Sequence, residues 1–143
     1  MGIVLTFKNA DFYANSINKE SAEKVKVEPF IQGVYNGTPE TGVKDGINTR
    51  ADRISSQTNT KYEYSLFSTI ELDLSTYKYL VVYRDSSGKI IEGSDYFWEE
   101  SSLNYKNSFT PPLNAKYIDF SIARKDGANM STDSSVINLY LVE

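Results

Sequence analysis

A two-sheet antiparallel β-sandwich, jelly-roll-like and with at most one short helix, is the fold that this sequence predicts. Three observations carry the prediction. Apolar and polar residues alternate at period two along most of the chain, the pattern of half-buried strands. Aromatic residues make up 13% of the sequence, as 11 Tyr and 7 Phe against a single Trp, a mixture that packs on pleated sheets better than on helices. Between the apolar runs lie clusters of Gly, Asn, Asp, Ser and Pro, at YNGTPETGVKDG, RDSSG, SFTPPLN and KDGANMSTDSS, which read as loops. A chain of 143 residues is long enough to bury a core without covalent staples, and one domain over 1–143 is expected.

In chain order, MGIVLTF puts Ile3, Leu5 and Phe7 on one face and reads as a first strand. ANSINKESAEK is the one helical candidate, worth a turn or two. KVKVEPFIQG sets Val25, Val27 and Ile31 on a common face, with Pro29 marking an edge or a bulge. In STIELDLS, Ile70, Leu72 and Leu74 point inward while Glu71 and Asp73 meet water. YKYLVVYRD is apolar on both faces and reads as an interior strand. RDSSGK then turns, with Gly88 near its tip, into a hairpin partner at KIIEG. Ile118, Phe120 and Ile122 of KYIDFSIARK share a face, as do Ile137, Leu139 and Leu141 of VINLYLVE.

The composition excludes much chemistry. Neither cysteine nor histidine occurs, so disulfides, thiolate nucleophiles, imidazole bases and the nitrogen and sulfur ligands of zinc sites are absent. The 15 basic and 19 acidic residues give a net charge of -4, interspersed rather than blocked, so nucleic acid is not an expected partner. No apolar run approaches the ~20 residues of a membrane-spanning helix. The opening residues lack a basic segment and a cleavage site of the secretory kind.

The stretch GSDYFWEES holds the single tryptophan beside paired glutamates. Glu99 and Glu100 are adjacent, so on a strand they face opposite ways and cannot flank one glycosidic bond. Pairs such as Glu92 with Asp95 or Asp119 remain open at this level, but 19 carboxylates make accidental pairs easy to assemble. Asp126, Asn129 and Asp133 offer oxygen ligands of the kind calcium takes, without the spacing of a defined calcium loop; a plain Asp-Gly turn is the expectation. SSGK lacks the upstream glycine of a phosphate loop. No catalytic residue, metal site or cofactor is assigned. A sugar presents an apolar face bordered by polar edges, so it is recognised by aromatic rings with charged or amide groups beside them. Tyr96, Trp98 and Tyr105, with Arg53, Arg84 or Arg124, have the right chemistry. Most tyrosines are expected to be structural, because they pack well while keeping the hydroxyl wet.

Three blocks, KDGINTRADRISS at 44–56, YLVVYRDSSGKIIEGSDYFW at 79–98 and SFTPPLNAKYIDFSIARKDGANMS at 108–131, together resemble the carbohydrate-binding-module-like β-sandwich of bacteriophage tail, baseplate and fibre proteins. The matching positions are Gly46 and Ile47, Arg53 and Ile54, Tyr83 with Asp85 and Lys89, Trp98, and Ala115 to Ile118 with Arg124 and Lys125. The resemblance covers about two thirds of the chain. The stretch at 57–76 lacks the glycine turn common in that family.

The resemblance implies a non-enzymatic virion protein: a head fibre, a capsid decoration or a tail adhesion module, assembled in the bacterial cytoplasm. Its partners would be other virion proteins and a host surface glycan, and it would form a homo-oligomer. The ligand-binding residues it points to, together with the aromatic reading, are Trp98, Tyr96, Tyr83, Arg53 and Arg124. A stand-alone bacterial carbohydrate-binding module is the alternative, and a small glycoside-active enzyme comes third.

Overall fold

Ten short strands and one 3-10 turn, at Tyr64–Leu66, form the protein in a computed structural model that describes residues 23–106 and 111–143. The strands are β1 (Lys24–Lys26), β2 (Phe30–Gln32), β3 (Val34–Thr38), β4 (Gly42–Asn48), β5 (Ile54–Ser56), β6 (Thr69–Glu71), β7 (Tyr77–Arg84), β8 (Trp98–Glu99), β9 (Tyr117–Arg124) and β10 (Tyr140–Val142). They assemble into a three-stranded sheet β1-β10-β6, a five-stranded sheet β2-β5-β9-β7-β8 and a two-stranded ribbon β3-β4. Every pairing is antiparallel. The expected all-β sandwich is thus the observed one. The expected strand at Ile3–Phe7 and most of the helical candidate lie outside the described residues.

The two larger sheets enclose the main core. Ile54, Tyr79, Val81, Tyr83, Ile118, Phe120 and Ile122 come from the five-stranded sheet, and Val27, Ile70, Leu72, Leu139 and Leu141 from the opposite side. Period two dictates this list, because cross-strand partners share a face: Tyr79 sits opposite Ile122, Val81 opposite Phe120 and Tyr83 opposite Ile118. Three tyrosine hydroxyls at the core margin find carbonyls. Tyr62 donates to Lys26 O, Tyr79 to Ser102 O and Tyr105 to Phe67 O.

The other face of the five-stranded sheet is covered as well. Leu80, Val82 and Ile90 pack against Tyr35 and Val43 of the β3-β4 ribbon, with Ile47, Tyr96 and Trp98 at the margin. This second core is why β7 is apolar on both faces. It also corrects the expected loop at YNGTPETGVKDG, most of which is ribbon. Its glycines allow the close fit: Gly37 has φ +140, and a Cβ there would come within 2.7 Å of the Tyr96 ring. Gly42, at φ +73, would press a Cβ to 2.7 Å from Ser94 O. Glycine therefore marks close backbone approach here rather than a free turn.

Two further expectations are corrected. KIIEG forms no strand; it returns along β7 through an isolated bridge between Arg84 and Ile90 and a bond from Ile91 N to Tyr83 O. Val25, Val27 and Ile31 do not share one buried face: Val25 is 40% exposed, while Val27 and Phe30 are buried. Pro29 lies between β1, an edge of the three-stranded sheet, and β2, an edge of the five-stranded one. The alternation restarts where the chain changes sheet.

Candidate functional site

The register of β7 decides which of the sequence-predicted residues meet. Leu80 pairs with Trp98, so Trp98 lies on the ribbon-covered face, together with Lys78 two residues earlier. Arg53 enters the same face from the residue before β5. Its guanidinium lies 5.1 Å from the Trp98 ring centroid and the Lys78 ammonium 5.6 Å from it, both within the ~6 Å at which a cation is drawn to an indole face. Tyr96 joins them from the preceding turn: its hydroxyl donates to Tyr35 O at 3.3 Å. Burial raises the Tyr96 phenol above its ordinary value, while Trp98, Arg53 and Arg50 pull it down. Tyr96, Trp98 and Arg53 therefore form one cluster, with one side on the second core and the other at the surface.

Tyr83 and Arg124 do not belong to it. The Tyr83 side chain is fully buried in the main core, edge-on to Tyr64 with centroids 5.5 Å apart. A ring so placed has no surface to offer a ligand. Arg124 pairs with Tyr77 across the strands, on the face of the sheet opposite Lys78, and its guanidinium holds Asp126 through Nε at 3.0 Å and Nη2 at 2.8 Å. Tyr105 is likewise core, and Arg84 belongs to the buried ion pair described below.

Four residues around the cluster, Arg50, Asp52, Lys78 and Gln32, were not singled out from sequence. Arg50 and Arg53 both bind Asp52: Arg50 through Nε at 2.9 Å and Nη2 at 2.7 Å, Arg53 through Nη1 at 2.9 Å. The spacing in RADR could have suggested this fork, and Lys78 follows from its parity with Leu80. Gln32 holds the loop beneath them. Its amide nitrogen lies 2.9, 3.0 and 2.8 Å from the carbonyls of Arg50, Ala51 and Arg53, of which its two hydrogens serve two at a time. Nothing in the sequence marked Gln32, because its role depends on a loop 18 or more residues away.

The carboxylates considered for acid-base work are mostly engaged elsewhere. Asp119, fully buried, accepts from Ser56 Oγ at 2.7 Å, Thr58 Oγ1 at 2.6 Å and Arg84 Nε at 2.7 Å. Glu99 is buried on the main-core side and accepts from the Ser101 amide and hydroxyl, whereas Glu100 is exposed. The adjacent pair therefore faces opposite ways, as strand geometry requires. Glu92 accepts from Asp45 N at 3.0 Å. A cleft of about 620 Å3, lined in part by Glu63, Asp85, Leu113 and Lys116, lies at the far end of β7 from Lys78. Its Asp85 is held by its own turn, accepting from Ser87 and from Lys89 N.

The 126–133 loop is built of turns. Asp126 accepts from Arg124 and Ala128 N, and Asp133 from Ser135. Among the described residues no group of three or more acidic side chains could hold a metal. Arg124 keeps the Asp126 carboxyl down at about 2. A depressed carboxylate contributes stability that is full above its unfolded value, roughly pH 4, and is lost as the pH falls through about 2. The Asp126 carboxyl carbon is expected to titrate near that value by NMR and to move back toward the ordinary range in Arg124→Ala. An unchanged midpoint in the variant would show that the pair is not the cause.

A scan against protein-family models and searches of curated proteins and of solved structures gave no match.

Proposed function

We propose that the protein is a non-enzymatic recognition module whose ligand is a saccharide bound at the Tyr96–Trp98–Arg53 cluster. One observation carries the reading: the chain's single tryptophan stands part-exposed near a second aromatic ring, Tyr96, and beside the cations of Arg53 and Lys78, on edge strand β8 paired with β7. An aromatic ring for a pyranose face with donors at its edge is the combination that sugar recognition calls for. The support beneath it is preorganised, since Gln32 fixes the arginine loop and the ribbon fixes Tyr96.

The virion setting rests on the three sequence blocks. It makes the protein a head fibre, capsid decoration or tail module, homo-oligomeric and docked on other virion proteins. The second reading, a stand-alone bacterial carbohydrate-binding module, uses the same face. Neighbouring portal, capsid or tail genes favour the first, and neighbouring polysaccharide-degrading genes the second. Glycan-array binding tests the face itself. Trp98→Ala is expected to weaken the parent's binding about tenfold or more, about 1.4 kcal/mol. A folded parent that binds no glycan, or a variant that binds as well as the parent, removes this site from consideration.

A further inference from the structure

The charges around Trp98 exceed what a neutral sugar needs. Arg53 and Lys78 stand against Trp98, Arg50 shares Asp52 with Arg53, and among the described residues Asp52 is the one carboxylate in ion-pair contact with these three cations, on a chain of net charge -4. Asp52 takes two nitrogens of Arg50 but only Nη1 of Arg53, and among the described residues Nε and Nη2 of Arg53 make no hydrogen bond. Lys78 makes no ion pair among the described residues; its ammonium rests over the Trp98 ring. The Arg53 side chain is only 16% exposed, and a partly desolvated guanidinium with free donors favours an anion over water or a neutral hydroxyl. The edge of the indole is itself electropositive. An ammonium without an ion pair among the described residues and a half-engaged guanidinium thus stand together at the Trp98 ring.

We infer that the saccharide this face takes is acidic, with its carboxylate or sulfate held between Lys78 and Arg53 beside the Trp98 ring. This rests on the saccharide reading and narrows it. The sugar ring would contact Trp98 and Tyr96 while the acid group answers the two cations, which would repel a ligand that brings positive charge; Asp52 is already held by Arg50 and Arg53.

An array carrying carboxylated, sulfated and neutral saccharides tests this directly. The parent is expected to bind acidic members about tenfold more tightly than neutral ones of matched backbone, with the preference shrinking as salt is raised. Lys78→Gln, at a part-exposed position, should weaken acidic binding more than neutral binding and so remove most of that preference; Arg53→Ala, at a residue of the saccharide face itself, should weaken both, the acidic members more, with thermal melting as the check on folding. Whether the carboxylated or the sulfated set responds identifies the acid group. Trp98-dependent binding that is equal for neutral and acidic members, or a preference that survives Lys78→Gln, overturns the charge inference and leaves the saccharide face standing. Absence of any glycan binding by the folded parent overturns both.

Discussion

Asp119→Ala is expected to lower the stability of the fold by about 3–5 kcal/mol, the cost of leaving a buried partner charge uncompensated. Arg84 is 5% exposed and Asp119 fully buried, and their Nε–Oδ2 distance is 2.7 Å. The other two guanidinium nitrogens are also engaged, Nη1 with Gly88 O at 2.8 Å and Nη2 with the Tyr35 hydroxyl at 2.9 Å. Tyr35 in turn donates to Ser56 O at 2.6 Å. The network therefore ties β7, β9, the end of β5 and the ribbon together. Burial raises the Asp119 carboxyl above its ordinary value, and the donors from Thr58, Ser56 and Arg84 work against that rise.

Removing the carboxylate strands Arg84 and also the Thr58 and Ser56 donors. Replacing both charged partners by apolar residues, Asp119→Leu with Arg84→Met, should recover part of the loss, because no buried charge is then left alone. Recovery should be incomplete, since Ser56 Oγ and the Thr58 amide still lose their acceptor. Urea denaturation of the three proteins measures it. A single variant within about 1 kcal/mol of the parent would mean that Arg84 finds water or another acceptor, contrary to its burial.

The sheet's second covered face also explains what the sequence could and could not disclose. Period two correctly assigned Ile70, Leu72, Ile118, Phe120, Ile122, Ile137, Leu139 and Leu141 to the core, because each lies on a strand or strand extension with one fixed inward side. It failed in two kinds of place. Where the chain changes sheets at Pro29, phase is lost between Val27 and Phe30. Where glycines let a ribbon lie flush on the sheet, the composition reads as loop. Trp98, Tyr96 and Arg53 could be grouped from sequence because aromatic and cationic residues near strand ends have a recognisable chemistry. Tyr83 and Arg124 lie apart from them, since residue type alone does not disclose parity: the pairing of Leu80 with Trp98 puts even-numbered positions of β7 on the Trp98 side and Tyr83 on the other. Lys78 and Gln32 depended on register and on a long-range loop contact, neither of which a local pattern carries.

That parity makes Phe120, the neighbour of Asp119, the opposite test. Its ring is fully buried between Tyr79 and Tyr105, edge-on to both, with centroids 6.3 and 6.4 Å away. Phe120→Ala is expected to cost about 3–5 kcal/mol, from lost burial and from the cavity that its two aromatic neighbours cannot collapse to fill. The loss falls on the main core, whereas the Asp119 network lies beneath the ribbon. Phe120→Ala should therefore leave the environment of Trp98 unchanged in the folded protein, with the same tryptophan emission and the same glycan binding per folded molecule, while the unfolding midpoint drops. Asp119→Ala loosens the side of the sheet on which Tyr35 and Tyr96 are seated, so its effect should extend to Trp98 emission before global unfolding. The two adjacent substitutions would then separate in one fluorescence titration. Identical behaviour of the two variants would mean that the cores unfold as one unit and that ribbon packing does not set the geometry around Trp98.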